Sequence, residues 1–315
     1  MFQLRSVAML SMAMLLAACN TVPMRASLTA DQRGKIHELD AHVIVVQDEV
    51  IIDVKAPNTN AMAAGGGLIG ALIVSAIDTH ATNTRVNDSQ MALGPFYAAI
   101  EDVDYRKQFT EAISAGLSSY PIKVGAYTAT PRALTDAALA QMRKQLKPGQ
   151  ALMIVVPHYT LSADFRNFDA ESIITIWFND DNKQPAQRGV LHYQSENVGP
   201  GGKSSIEEWR AQDAAKFRQV LRESIDETLR MAMIDVDTPP DGDADAAKAK
   251  ATSSFRMNLN GTHTDLKGHV VKAGDARIIV LGQDQKLYSL PNPAAPTPAP
   301  APATTAAAAD ATAKQ

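Results

Sequence analysis

The sequence predicts an α/β (α+β) fold: a mixed, largely antiparallel sheet packed by amphipathic helices, followed by a small C-terminal β-module. Three observations carry that prediction. Apolar residues recur at helical spacing near 103–118, 131–146 and 204–234. Three apolar or β-branched runs, Ala151–Leu161, Glu171–Phe178 and Arg188–Ser195, are separated by polar turn residues and read as an antiparallel meander. Beyond residue 254, four short β-like runs alternate with Gly and Asp. The 315 residues, 45% of them hydrophobic and with a formal charge of -4, suffice for one or two cores. The mildly acidic balance gives no footprint for a nucleic-acid partner.

In chain order, Arg5 precedes an apolar run from Val7 to Ala18, a secretory signal too short for a membrane span. Its end, Leu16-Ala17-Ala18-Cys19, resembles the lipobox of bacterial lipoproteins. That resemblance implies removal of residues 1–18, lipidation of Cys19 and a lipidated tether over 19–34. Several acyl chains would anchor the protein firmly, since one alone binds a bilayer only marginally. Asn20, in place of the Asp that retains lipoproteins in the inner membrane, implies the outer membrane, with the body facing the periplasm or the cell surface. Cys19 is the one cysteine of the chain, so the body has no intramolecular disulfide and must be held by packing.

A main domain is expected over 35–236. His42–Val46 and Glu49–Lys55 read as a hairpin or one kinked strand, broken at Pro57-Asn58. A glycine-rich helix follows over 61–92, stopped by Gly94-Pro95. Val103, Phe109, Ile113 and Leu117 make the apolar stripe of the next helix. Pro121 opens the strand Ile122–Ala129, and Pro131 falls in the first turn of a helix that ends before Pro148-Gly149. Within Ala151–Leu161, Pro157 cannot donate to a ladder, so pairing must bulge or thin there. The last helix of the domain carries Ile206, Trp209, Phe217, Val220, Leu221, Ile225 and Leu229 on one stripe and is capped by Ser204 or Ser205. A linker over 237–254, the β-module over 255–290 and a disordered Pro/Ala-rich tail over 291–315 complete the chain.

The glycine-rich segment is the sharpest feature of the folded part. From Ala61 to Ile77 only Ser75 is polar. As a helix it would measure about 25 Å, short of the roughly 30 Å hydrocarbon core, and no aromatic belt or basic cluster flanks it. Ala63, Gly67, Ala71 and Ser75 recur every four residues with Gly66 and Gly70 beside them, a small-residue face that lets a backbone approach closely. This face is the expected packing or interaction surface. It is expected to lie under the sheet of its own fold; the alternatives are a second copy of the chain, another envelope protein, or lipid.

No motif carries convincing chemistry. "HELDAH" (His37–His42) places its histidines five apart, where a zinc helix needs four. "NVGPGGKSS" (Asn197–Ser205) holds Asn197 where a phosphate loop needs glycine. His158, Ser162, Asp164 and Asp169 could be imagined as a hydrolase triad, but the chain has no Gly-x-Ser-x-Gly elbow, and a polar hairpin loop explains them better. His80, His192, His263 and His269 show no metal-ligand spacing. Neither a metal, a cofactor nor a catalytic residue is expected.

The segments "GGGLIGALIVSAIDTHATNTR", "YRKQF", "PHYTLSADF" and "EEWRAQDAAKFRQVLRES" together resemble a group of proteobacterial outer-membrane lipoproteins of uncharacterised function, over roughly Glu49 to Val280. The resemblance brings no catalytic residues. The helix, meander, helix plan is also similar to envelope lipoproteins of the curli-secretion-pore and transport-auxiliary kind, which implies a part in an assembly. The expected function is a lipid-anchored, non-enzymatic envelope protein, structural or accessory to an outer-membrane assembly. The alternatives are an envelope hydrolase and a periplasmic ligand-binding lipoprotein with an apolar groove between sheet and helices.

Overall fold

The computed structural model describes residues 25–47, 50–52, 93–117, 122–237, 253–259 and 262–294. Cys19, the glycine-rich segment with Ala63, Gly66, Gly67, Gly70, Ala71 and Ser75, the body of the linker and the Pro/Ala-rich tail beyond residue 294 lie outside the described residues.

The part of the tether within them is bound to the body. Arg25 pairs with Asp235, Ala26 exchanges both backbone hydrogen bonds with Arg188 (2.9 and 2.8 Å), and Leu28 is fully buried. A short helix, α1 (Ala30–Gly34), starts at a capping box: Thr29 accepts from Gln32 N–H while the Gln32 side chain accepts from Thr29 N–H.

β1 (Glu38–Ile44) and β2 (Ile51–Ile52) both run parallel to β4 (Gln150–Leu161), so they form one kinked strand and not a hairpin. β1 leaves β4 after Val155 and β2 rejoins it at Thr160. Pro157 sits in that gap. Its pairing with Ser172 of β5 (Phe168–Trp177) keeps register, so the thinning expected from the missing N–H falls on the β1–β2 side. Part of the gap is closed by Gln47, whose side-chain amide donates to Tyr159 C=O (2.6 Å) and accepts from Tyr159 N–H (3.1 Å), as a strand residue would.

Helical residues 93–99 lead to α2 (Tyr105–Leu117), whose first turn is capped by Asp104 accepting from Lys107 N–H. Tyr105, Phe109 and Ile113, four apart, bury one face. β3 (Lys123–Thr130) pairs parallel to β1 and, among the described residues, to nothing else. α3 (Asp136–Gln145) begins later than the proline implied. Thr135 caps it by accepting from Ala138 N–H, and β3 runs on to Thr130, which leaves Pro131 in the connection.

β5 and β6 (Gln187–Gln194) complete the antiparallel meander. α4 (Gly202–Asp237) is not the continuous helix expected. Ala211 is extended and Gln212, Asp213 and Ala214 take left-handed φ values of 52°, 58° and 53°. The break falls where the stripe has nothing larger than alanine, and it leaves Trp209 and Phe217 both buried. Neither Ser204 nor Ser205 caps it: the helix starts at Gly202, and the Ser205 hydroxyl accepts from Gly201 N–H and donates to Val198 C=O.

The C-terminal strands are β7 (Ser253–Leu259), β8 (Thr262–Ala273), β9 (Arg277–Gly282) and β10 (Leu287–Pro291). They extend the main sheet: β10 lies parallel to β6, and the order is β3-β1-β4-β5-β6-β10-β9-β8-β7, with β2 on the β4 edge. The sheet is mixed and largely antiparallel, as expected. One face carries the large core under α2 and α4; on the other, Leu139 and Leu146 cover Leu152, Ile154 and Trp177, while Met257 joins Val280 and Leu290.

Candidate ligand pocket

Alternation along β4 sends Tyr159 to the face that α2 and α4 cover. Tyr105 opens α2 directly above it, with ring centroids 4.2 Å apart. Tyr159 stacks on Phe168, which meets Phe217 of α4 edge-on, and Phe217 meets Phe96 at 85°. Between this aromatic chain and the 97–103 segment lies a cavity of about 460 Å³, lined by Val50, Tyr97, Ile100, Tyr159, Phe217 and Leu221 among others. That volume is ordinary for a small-molecule site. Among the described residues, Glu101 is the one charged side chain of the lining.

Two of the phenols are committed to the frame, and among the described residues the Tyr105 hydroxyl is buried without a partner. Tyr97 donates to Val50 C=O (2.5 Å) and Tyr159 to Gln47 C=O (3.4 Å). Burial, reinforced by Tyr159 beside it, pushes the Tyr105 phenol far above its ordinary range, so it stays neutral. The wall is held by Arg218. Its guanidinium donates to both oxygens of Asp102 (2.9 and 2.7 Å), to Ala99 C=O and, across the break in α4, to Asp213 C=O. The Arg218 hydrogen bonds hold the Asp102 carboxyl below its usual value. Among the described residues the cavity thus offers an aromatic lining of mixed polarity and no nucleophile paired with a base.

The residues weighed as a triad do not assemble into one. Ser162 is buried and donates to Asp164 (2.6 Å). His158 faces Glu171 across the β4–β5 pair, four residues and roughly 13 Å along the chain from Ser162. Asp169 meets His192 Nε2 at 3.1 Å, and Glu171 lies 3.9 Å from His192 Nδ1 and 2.7 Å from Lys286. Burial opposes charge on His192, but hydrogen bonds to Asp169 and Glu171 outweigh it and raise its pKa to about 9. Burial likewise opposes charge on Glu171; hydrogen bonding to His192 and the charge of Lys286 bring it down to about 2. This is an ion-pair cluster on the sheet face opposite the pocket, in which imidazole stays protonated at neutral pH and cannot act as a base.

His42 is buried with neither ring nitrogen partnered, and burial lowers its pKa; His37 is exposed. Among the described residues, no three His, Cys, Asp or Glu side chains gather as a metal would need. In the 197–205 turn, Gly201 N–H donates to Ser205 and Gly202 N–H to Asp164 C=O, so those amides are engaged within the fold and not turned to a phosphate.

Sequence reading passed over Tyr97, Tyr105, Tyr159 and Arg218. Tyr159 stands beside the histidine of "PHYTL" that drew attention, and an apolar cavity has no motif by which to find it. No protein-family model matches the chain, and no curated protein matches it.

Proposed function

We propose that this protein is a lipid-anchored, non-enzymatic accessory protein of the bacterial cell envelope that holds a small apolar ligand in the pocket between β4, α2 and α4. The observation that carries the ligand is the cavity of about 460 Å³ with aromatic walls, where the Tyr97 and Tyr159 hydroxyls are already engaged with backbone carbonyls. Its interior rewards burial of apolar area, about 25 cal/mol per Å², and offers no reactive group. The anchor is the reading of Leu16–Cys19 as a lipobox. The test is titration with the neutral fluorescent probe N-phenyl-1-naphthylamine. Wild type is expected to take it up saturably, and Leu221→Trp, which fills the cavity, to weaken uptake at least tenfold with its circular dichroism unchanged. Absence of saturable uptake by wild type would sink the ligand reading.

A second reading, a structural component of an outer-membrane assembly, is favoured by β3. This strand ends the sheet with one edge unpaired among the described residues, a site at which a strand of another chain can add. Apolar docking elsewhere has less support, since Val270 is the one exposed large hydrophobic among the described residues. Cross-linking in intact cells separates the two readings: a partner joined through β3 supports assembly, and a monomer there argues for ligand carriage alone.

A further inference from the structure

We infer that the end of the sheet at which β1, β3, β4 and β6 begin lies against the bilayer surface, with the pocket at the opposite end. The inference rests on the proposed anchor at Cys19. It goes beyond that anchor because the structure ties the chain down so soon after it. Five residues separate Cys19 from Arg25, a reach of at most about 20 Å over six chain steps.

Arg25, Ala26 and Leu28 are each tied to the body. Arg25 donates to Asp235, which is 1% exposed at the far end of α4 and also accepts from Gln187 (2.6 Å) at the start of β6. Ala26 pairs with Arg188, filling the edge of β6 below the point where β10 joins it at Leu191. Leu28 enters the core, and Arg33 donates to Leu28 C=O and Asp237 C=O. His37 and Glu38 N–H then both donate to Gly149 C=O, just ahead of β4. Every one of these contacts lies at the same end of the sheet.

At that end Lys35, Lys123 and Lys147 stand exposed, Lys35 paired with Asp31 and Lys123 with Glu38, and an exposed lysine there would favour anionic headgroups. The pocket residue Tyr159 is nine residues up β4 from Gln150, roughly 30 Å away. A ligand in the pocket is therefore held away from the leaflet that carries the anchor.

Lys147, just ahead of β4, and Asn197, just past β6, are both exposed and lie at opposite ends of the sheet. Cys19 is the one native cysteine and its thiol is consumed by acylation in the proposed mature form, so Lys147→Cys and Asn197→Cys each present a single thiol. The full-length lipidated variants, labelled with a thiol-reactive fluorophore, are reconstituted on phosphatidylethanolamine–phosphatidylglycerol vesicles containing nitroxide-headgroup lipid. Strong quenching at position 147 with at least threefold weaker quenching at 197 is the expected result. Equal quenching, or stronger quenching at 197, overturns the orientation while leaving the anchor standing. Mass spectrometry of the same samples is the separate arm: an unacylated Cys19 defeats the anchor reading, and the inference with it.

Discussion

His192 is buried among the groups that decide its charge. Asp169 meets one ring nitrogen, Glu171 approaches the other, and Lys286 balances Glu171 from the start of β10. With its pKa raised from 6.5 to about 9, the histidine binds its proton more tightly folded than unfolded. The stability this contributes is complete below pH 6.5 and is lost as the pH rises through about 9. The shift sets an upper bound of about 3 kcal/mol for the whole cluster, and the matching depression of Glu171 reports the same interaction, so the two are not summed. The Glu171 side of the cluster is present above pH 4.5 and fails only as the pH falls through about 2. Urea unfolding at pH 6, 8 and 10 is expected to show the midpoint falling across this range, with the fall markedly shallower in His192→Gln. An equal fall in both proteins would show that the cluster does not set the alkaline limit. Nothing in the sequence pointed here. Asp169, Glu171, His192 and Lys286 come from three strands, and only the β4–β5–β6 register with β10 laid on β6 makes them neighbours.

Among the elements, β4 of the meander was legible because it is buried on both faces over most of its length and reads as an apolar run. β8 was legible only in its second half, at Gly268–Lys272: residues 262–266, Thr-His-Thr-Asp-Leu, are strand because β7 pairs with them, not because their own pattern requires it. α4 was legible as an apolar stripe, but its break was not. Three consecutive non-glycine residues in the left-handed region cost roughly 1–2 kcal/mol each, and no glycine marks the place. Tertiary contacts hold the break: Trp209 donates its indole N–H to Phe165 C=O, and Arg218 donates to Asp213 C=O while clamping the pocket wall. The same substitution has opposite signs in a broken and an unbroken helix. Gln212 is exposed at φ 52°, so Gln212→Gly is expected to stabilise by about 1 kcal/mol by releasing strain. In a regular helix it would destabilise by nearly the same amount. Thermal unfolding of this one variant therefore decides whether the break exists in solution, and a lower Tm would show that it does not.

At the scale of the molecule, the question is whether β7–β10 form a unit docked on the body or part of the body itself. The sequence suggested a small module docked on the body, because the linker composition sets it off and its strands are short. The structure places β10 between β6 and β9 in one sheet, and Arg277 of β9 secures the junction from within the core. Its side chain is 8% exposed. It donates to Ser289 Oγ and C=O, to Gln194 C=O and to Glu223 of α4, and it lies 4.2 Å from the centroid of the Tyr193 ring. Ser289 in turn donates to Glu227 of α4, which also pairs with Arg230. Removing one partner of so buried a network leaves the others unsatisfied, at a cost of about 3–5 kcal/mol. Trp177 and Trp209, both in the body, report its unfolding without a label. If the C-terminal strands belong to the same cooperative unit, Arg277→Ala shifts the tryptophan transition by that amount and leaves it single. If they fold by themselves, the tryptophan midpoint stays where it was and a second transition, seen by far-ultraviolet circular dichroism alone, appears at lower denaturant. The first outcome is expected, because the groups Arg277 satisfies lie on β6, β10 and α4, and α4 is also the helix that walls the pocket and, through Asp235, fixes Arg25.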